Sequence, residues 1–144
     1  MVYLKHIRFL LPAIALLMMG AISAGNTSLE EETIYDIMLE HEEIETFTTI
    51  TTESEMHRHL HHDGPFTVLA PTDEALDAMP ADELGEIMQE DAAKRELMND
   101  HMFQGEHSAD EVAHIIEDGE VIQEIEADNG RLLIINAVVQ DVDQ

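Results

Sequence analysis

An α+β fold is predicted by two features of the sequence: helical patterns dominate the first half of the chain, and strand patterns dominate its end. Apolar residues recur at three- and four-residue intervals in several segments up to residue 116. After Gly119 they form short runs, and the pair Asn129-Gly130 between two such runs is a hairpin turn signal. No internal repeat interrupts this order, so a single domain is expected.

The first predicted helix begins at Thr33, and its apolar residues share one face. A second helix is predicted over residues 53–63. Thr52 and Glu55 have the spacing of a capping box at its start, and Gly64 is placed as its C-cap.

The string FTVLAPTDEAL predicts a strand, a turn and a capped helix. Phe66–Leu69 is the buried strand, and the chain is expected to turn at Ala70-Pro71. The hydroxyl of Thr72 can accept an unpaired backbone N–H of the following helix. Asp73 then places negative charge at the positive end of the helix dipole.

Three further helices are predicted before the C-terminal strands. Pro80 restarts a helix, another occupies about residues 92–99, and Ser108 with Glu111 forms a capping box for the last one. The strand-like segments that follow are Val121-Ile122, Leu132–Ile135 and Val138-Val139.

The N-terminus has the pattern of a secretory signal peptide, predicted over residues 1–24. Lys5 and Arg8 precede an apolar run from Phe9 to Ile22, and small residues follow it. The alternative is an uncleaved membrane anchor, but the run is short for a span of roughly 20 residues and contains Pro12. The expected location is therefore secreted or in the cell envelope.

An acidic leader, residues 25–32, is expected to precede the domain itself, residues 33–144. No second apolar run has spanning length, so the processed protein is expected to have no integral membrane span. The sequence contains no cysteine, which excludes disulfides and a lipid anchor on cysteine. Stability must therefore come from packing.

The large excess of acidic residues restricts which kinds of molecule the protein can bind. After residue 24 the chain holds 32 acidic and four basic residues, a formal net charge of −28. Such a surface disfavours binding to nucleic acid and anionic membranes, because proteins contact both through Lys and Arg side chains. The surface carboxylates also repel one another unless salt screens their charges. We interpret it as suited to high salt, and a specific role in binding cations or polycations is the alternative. The four basic residues are Arg58, Lys94, Arg95 and Arg131.

The same string, FTVLAPTDEAL, closely resembles the first motif of the fasciclin domain family, usually written close to FTVFAPTDEAF. Residues 75–91 resemble the helix–Pro–helix pattern of that family. The resemblance implies a β-sheet wedge packed with helices that acts as an extracellular adhesion or interaction module. The matching motif residues are Phe66, Thr67, Ala70, Pro71, Thr72 and Asp73.

Residues 97–112 resemble another family segment, of the form LYHVVPGKYSADDL. His101 matches its His and Gly105 its Gly. Asp100 stands where the family has Tyr in a Tyr-His pair that is linked to integrin binding in some animal members, so integrin recognition is not expected. The resemblance implies that His101 is a buried structural residue bonded to the backbone near the first motif.

The C-terminal part resembles the family in two competing ways. Residues 127–139 align without gaps with the second motif, of the form ASNGVIHVIDAVL, which places Leu133 at its His. Alternatively, residues 129–142 resemble the hairpin that precedes this motif, and the final strand of the domain is then missing. Asn129 and Gly130 form the turn in both alignments.

Glu53, His57 and His61 follow one another at four-residue intervals and share one stripe of the predicted helix. Two His at this spacing, with a carboxylate, can bind a transition metal. The simpler interpretation is a solvated polar helix on a His-rich acidic protein, and the family resemblance implies neither metal nor cofactor. A metal- or small-ligand-binding envelope protein is therefore the alternative function.

No catalytic pattern is present in the sequence. His101 as a base would need a nucleophile, and neither Ser54 nor Ser108 lies in a GxSxG-type turn. The sequence also lacks a Walker loop and a GxGxxG motif. We therefore predict a non-catalytic module without a cofactor. Its expected partner is a cell-surface or matrix protein or polysaccharide, with self-association as a further mode.

Overall fold

A computed structural model of the protein describes residues 31–140. The predicted signal peptide (residues 1–24) and the leader up to residue 30 lie outside the described residues, as do residues 141–144. The compact unit begins at Glu32. Within the described part, no helix is long and apolar enough to cross a membrane.

Seven α-helices and four strands make up the described residues, which confirms the predicted α+β class. Short 3-10 turns at Glu42–Ile44, Met56–Arg58 and Ala113–Ile115 lie between helices or extend them. The helices are α1 (Ile34–Glu40), α2 (Glu45–Glu53), α3 (His59–His62), α4 (Asp73–Asp77), α5 (Ala81–Gln89), α6 (Asp91–His101) and α7 (Ala109–Val112), and the strands are β1 (Phe66–Pro71), β2 (Met102–Gln104), β3 (Val121–Ala127) and β4 (Gly130–Ile135).

The four strands form one sheet in the order β2-β1-β4-β3. Strand β1 pairs antiparallel with β2 and parallel with β4, while β3 and β4 form an antiparallel hairpin. Side chains on both faces of β1 and β4 are buried. This explains why their sequences are continuous apolar runs rather than alternating ones.

Successive side chains of β1 and β4 point to opposite faces and enter two separate cores. Val68 and Ile134 enter the main core, to which helices α1 to α6 contribute. Leu69 and Leu133 enter a second, smaller core on the opposite face, which Val112 of α7 helps to close.

Three predicted helix starts are confirmed by their hydrogen bonds. Thr33 and Asp36 form a reciprocal capping box at the start of α1, and the hydroxyl and N–H of Thr33 lower the pKa of Asp36. Thr72 caps α4 through its hydroxyl, and Ser108 with Glu111 forms the capping box of α7.

The predicted helix over residues 53–63 is wrong, and so are its two caps. Helix α2 extends to Glu53, so Thr52 lies inside it and its hydroxyl donates to a carbonyl of the preceding turn. Glu55 then has a left-handed φ of 65°, which interrupts the helix before α3. The C-cap of α3 is the residue before Gly64.

The predicted turn at Ala70-Pro71 is also wrong. Strand β1 continues through both residues, because its parallel pairing with β4 extends to Ile135. The N–H of Thr72, the next residue, donates to the Ile135 carbonyl (3.0 Å), and α4 begins only after it. The last predicted strand, at residues 138–139, is not a strand.

The predicted hairpin turn at Asn129-Gly130 is confirmed and lies directly against β1. The N–H of Phe66 donates to the carbonyl of Asn129 (3.0 Å). Gly130 has a φ of 144°, and a Cβ there would overlap the carbonyl oxygen of Phe66. Both the backbone angle and the close approach therefore require glycine.

We expect Gly130→Ala to destabilise the fold by about 2 kcal/mol or more, because the added methyl group meets rigid backbone. Gly85→Ala is the matched control. Gly85 lies inside α5, and a Cβ there meets only the flexible end of Gln89, at 3.9 Å. Alanine should stabilise this helix by roughly 0.5–1 kcal/mol. Urea unfolding at constant salt measures both changes, and an unaltered midpoint for Gly130→Ala would contradict the close approach.

Candidate functional site

Thr67 of the first motif fastens the loop after β2 to strand β1. Its hydroxyl donates to the carbonyl of Gly105 (2.8 Å) and accepts the N–H of His107 (2.8 Å). Gly105 has a φ of 86°, and its own N–H donates to the carbonyl of Pro65 (2.8 Å). The structure thus brings together Thr67 and Gly105, which the sequence assigned to two separate motifs.

His101 is fully buried and ties the C-terminal segment to helix α6. Nδ1–H donates to the carbonyl of Leu97 (2.7 Å), and Nε2 accepts the N–H of Val139 (3.0 Å). A carbonyl can only accept and an amide N–H can only donate, so the ring is neutral. Burial lowers the pKa of His101 to about 4, although the bond to Leu97 opposes this shift. The expectation of a buried His101 that hydrogen-bonds backbone is confirmed, but its partners belong to Leu97 and Val139 and not to the first motif.

Asn129 connects the hairpin to two helices. Its side-chain oxygen accepts the N–H of Ile34 at the start of α1 (2.8 Å). Its amide nitrogen donates to the carbonyl of Leu60 in α3. With the backbone bond to Phe66, one turn residue holds together α1, α3 and β1.

Asp73, in the first turn of α4, also accepts a hydrogen bond from the start of another helix, α2. Its Oδ1 accepts the N–H of Thr46 (2.8 Å), an otherwise unpaired group in the first turn of α2. The sequence indicated only the local role, because Thr46 lies 27 residues away.

The proposed metal ligands do not form a shared stripe, because the helix that would align them is broken. Glu53 pairs with the Nζ of Lys94 (3.2 Å). The rings of His57 and His61 instead pack on Tyr35, with centroid distances of 5.4 and 5.0 Å. Within residues 31–140, no three Asp, Glu or His side chains are grouped as a metal ion requires. The geometric basis of the metal prediction is therefore wrong.

The residue types able to support catalysis form hydrogen bonds within the fold. Both ring nitrogens of His101 are hydrogen-bonded to backbone. Ser54 is buried and donates to the carbonyl of Thr51 (3.1 Å), while Ser108 caps α7. Neither serine is hydrogen-bonded to a histidine in the described residues, so the geometry shows no activated nucleophile there.

Sequence reasoning missed two groups of ion pairs, each formed by one basic residue and two carboxylates. Lys94 in α6 is buried, yet its ammonium group reaches Glu53 and Asp91 at 3.2 and 3.6 Å. Arg131 in β4 pairs with Glu124 and Glu126 of the neighbouring strand. The antiparallel register, which places Arg131 opposite Glu126, was the signal that could have found the second group.

Comparison with known proteins agrees with this geometry. Residues 42–140 match the sequence profile of the Fasciclin domain, and the chain belongs to this family. Over 68 residues, 47% of the chain, it is 34% identical to transforming growth factor-beta-induced protein ig-h3 of Oryctolagus cuniculus. The corresponding protein of Sus scrofa is 32% identical over the same length. The chain spans only 10% of the length of these relatives.

A solved structure shows the same fold. It is a FAS1 domain pair from the insect cell adhesion molecule fasciclin I, with a TM-score of 0.64 and 11% sequence identity. The match covers 76% of this chain and 51% of that one. The fasciclin fold expected from the first motif is therefore confirmed.

His101 should make the stability of the fold depend on pH. The unfolded chain takes up a proton on this residue near pH 6.5, whereas the folded chain does so only near pH 4. Stability that is present at neutral pH is therefore lost as the pH falls through this range. In His101→Gln the side-chain carbonyl can still accept the Val139 N–H, but it does not titrate.

We expect the wild type to lose stability relative to His101→Gln by on the order of 2 kcal/mol between pH 7 and pH 4.5. Urea unfolding at several pH values in constant molar salt measures the difference, and contributions from the other titrating groups cancel. Parallel stability curves for the two proteins would show that His101 is protonated while folded.

Proposed function

We propose that the chain is a secreted adhesion or interaction module that performs no catalysis and has an acidic surface suited to high salt. This proposal rests mainly on the observation that polar side chains of the family motifs are hydrogen-bonded within the domain. Thr67, His101 and Asn129 are all hydrogen-bonded inside the fold. The family motifs therefore build a scaffold, and recognition is left to the outer surface.

The comparisons support an extracellular role. The solved structure with this fold comes from an insect cell adhesion molecule. This chain spans about half of that structure's chain and a tenth of the curated relatives, so their partners do not transfer directly. The partner proposed for this chain is a cell-surface or matrix protein or polysaccharide, or a second copy.

The charge distribution determines the conditions under which such a surface can bind. Residues 31–140 contain 29 acidic and four basic residues. Three of the basic side chains, those of Arg58, Lys94 and Arg131, already pair with carboxylates of the same domain. Approach to another anionic surface therefore requires screening by salt or bridging cations.

Salt should stabilise the folded domain. Screening weakens the repulsion among surface carboxylates, and the Debye length falls from about 10 Å at 0.1 M to about 3 Å at 1 M. We expect the melting temperature of the mature chain to rise steeply between these concentrations of KCl. A melting temperature that stays flat would contradict the adaptation to high salt.

Adhesion can be tested with beads coated with the mature chain and applied to the producing cells and their matrix in molar salt. We expect selective attachment relative to uncoated beads and to an equally acidic unrelated protein. At low salt, chelation of divalent cations should reduce attachment, because bridging is then lost. Attachment no better than that of the acidic control would contradict the adhesion function, and attachment unaffected by chelation would contradict bridging.

A further inference from the structure

A groove of about 660 Å³ lies beside the terminal strand β2, between the end of α6 and the segment that leads into β1. Its floor includes Met56, Phe66 and Met102, which are partly buried and pack against the main core. The floor is therefore apolar. Met56 and Met102 adapt readily to ligands of different shape, because a methionine side chain is flexible and polarizable.

This groove is an exception to the acidity of the surface. The only carboxylate among its lining residues is Asp63, which is paired with the Nδ1 of His59 (3.0 Å). By contrast, the groove between α5, α6 and the C-terminal segment is rimmed by four acidic residues. Burying carboxylates under a neutral partner is costly. An uncharged partner that docks on the β2 groove therefore covers one carboxylate, that of Asp63, instead of four.

The rim of the β2 groove offers hydrogen bonds. Asn99 and Gln104 are exposed, and neither side-chain amide bonds to another group within residues 31–140. Each amide provides donors and an acceptor, the same groups that an extended peptide backbone presents. Because β2 is the last strand on its side of the sheet formed by residues 31–140, an extended segment could lie along it.

We propose that the β2 groove binds an uncharged, extended segment of a partner protein. An apolar side chain of this segment enters between Met56, Phe66 and Met102, and Asn99 and Gln104 bond its backbone. This inference rests on the proposed interaction function and names its partner chemistry. A neutral glycan fits less well, because sugar rings stack on broadly exposed aromatic faces, and both phenylalanines that line the groove, Phe66 and Phe103, are half-buried.

Methionine methyl signals in NMR test this directly on the mature chain. The probe is a nine-residue peptide of Ser, Thr and Gly with one central Leu and blocked ends. We expect it to shift the Met56 and Met102 methyl signals saturably at millimolar concentration, and to leave Met79 and Met88 unmoved. Peptides with central Ser or Glu should bind at least about tenfold more weakly, because they lose the apolar contact or bury a charge.

Two charge variants localise the effect. Gln104→Glu and Asn99→Asp each add a carboxylate at the rim and should weaken binding of the Leu peptide at least about tenfold. Gln89→Glu adds the same charge on the exposed end of α5 and should leave binding unchanged. Equal binding by all four proteins would overturn the inference, as would shifts caused by a dextran oligomer but not by the peptide.

The peptide-binding experiment and the bead-adhesion experiment can fail independently of each other. Bead adhesion that persists in Gln104→Glu, with no peptide-induced shift in the wild type, would overturn the groove and leave the adhesion function standing. Saturable shifts at Met56 and Met102 without bead adhesion would support the groove and count against adhesion to the producing cells.

Discussion

The parallel pairing of β1 with β4 positions both cores and the elements packed around them. Both faces of these strands are covered, so each contributes side chains to two cores. Their register begins where Gly130 meets Phe66, at an approach that admits no Cβ. From the same turn, Asn129 bonds the start of α1 and the backbone of α3. A shift of one residue would exchange the side chains of the two cores and break these bonds together.

Polar side chains of the kinds used in catalysis form hydrogen bonds that hold this fold together. Thr67 closes the loop after β2, and Asp73 satisfies the first turn of α2. His101 holds the C-terminal segment through a neutral, buried ring. A buried donor or acceptor that loses its partner costs about 1–3 kcal/mol, so these positions are constrained by folding alone. Chemistry or recognition must therefore reside elsewhere on the domain.

The surface can act on a partner in two ways, through long-range electrostatic repulsion and through direct contact. Carboxylates far outnumber basic groups and act over about a Debye length, so they control which partners approach and at what salt concentration. The β2 groove acts only on contact, through its apolar floor and the free amides of Asn99 and Gln104. This arrangement favours binding of an uncharged partner at the β2 groove over nonspecific binding, because contacts elsewhere on the acidic surface would bury more carboxylates.

Features whose hydrogen-bond partners lie close together in the chain could be predicted from the residues alone. The caps at Thr33, Thr72 and Ser108 and the Asn129-Gly130 turn were predictable, because each depends on hydrogen bonds or backbone angles within four residues. The first motif also predicted the family fold. The continuation of β1 alongside β4 and the bond between His101 and Val139 were settled only by the tertiary structure. These depend on groups that lie far apart in the sequence and meet only when the sheet and cores assemble.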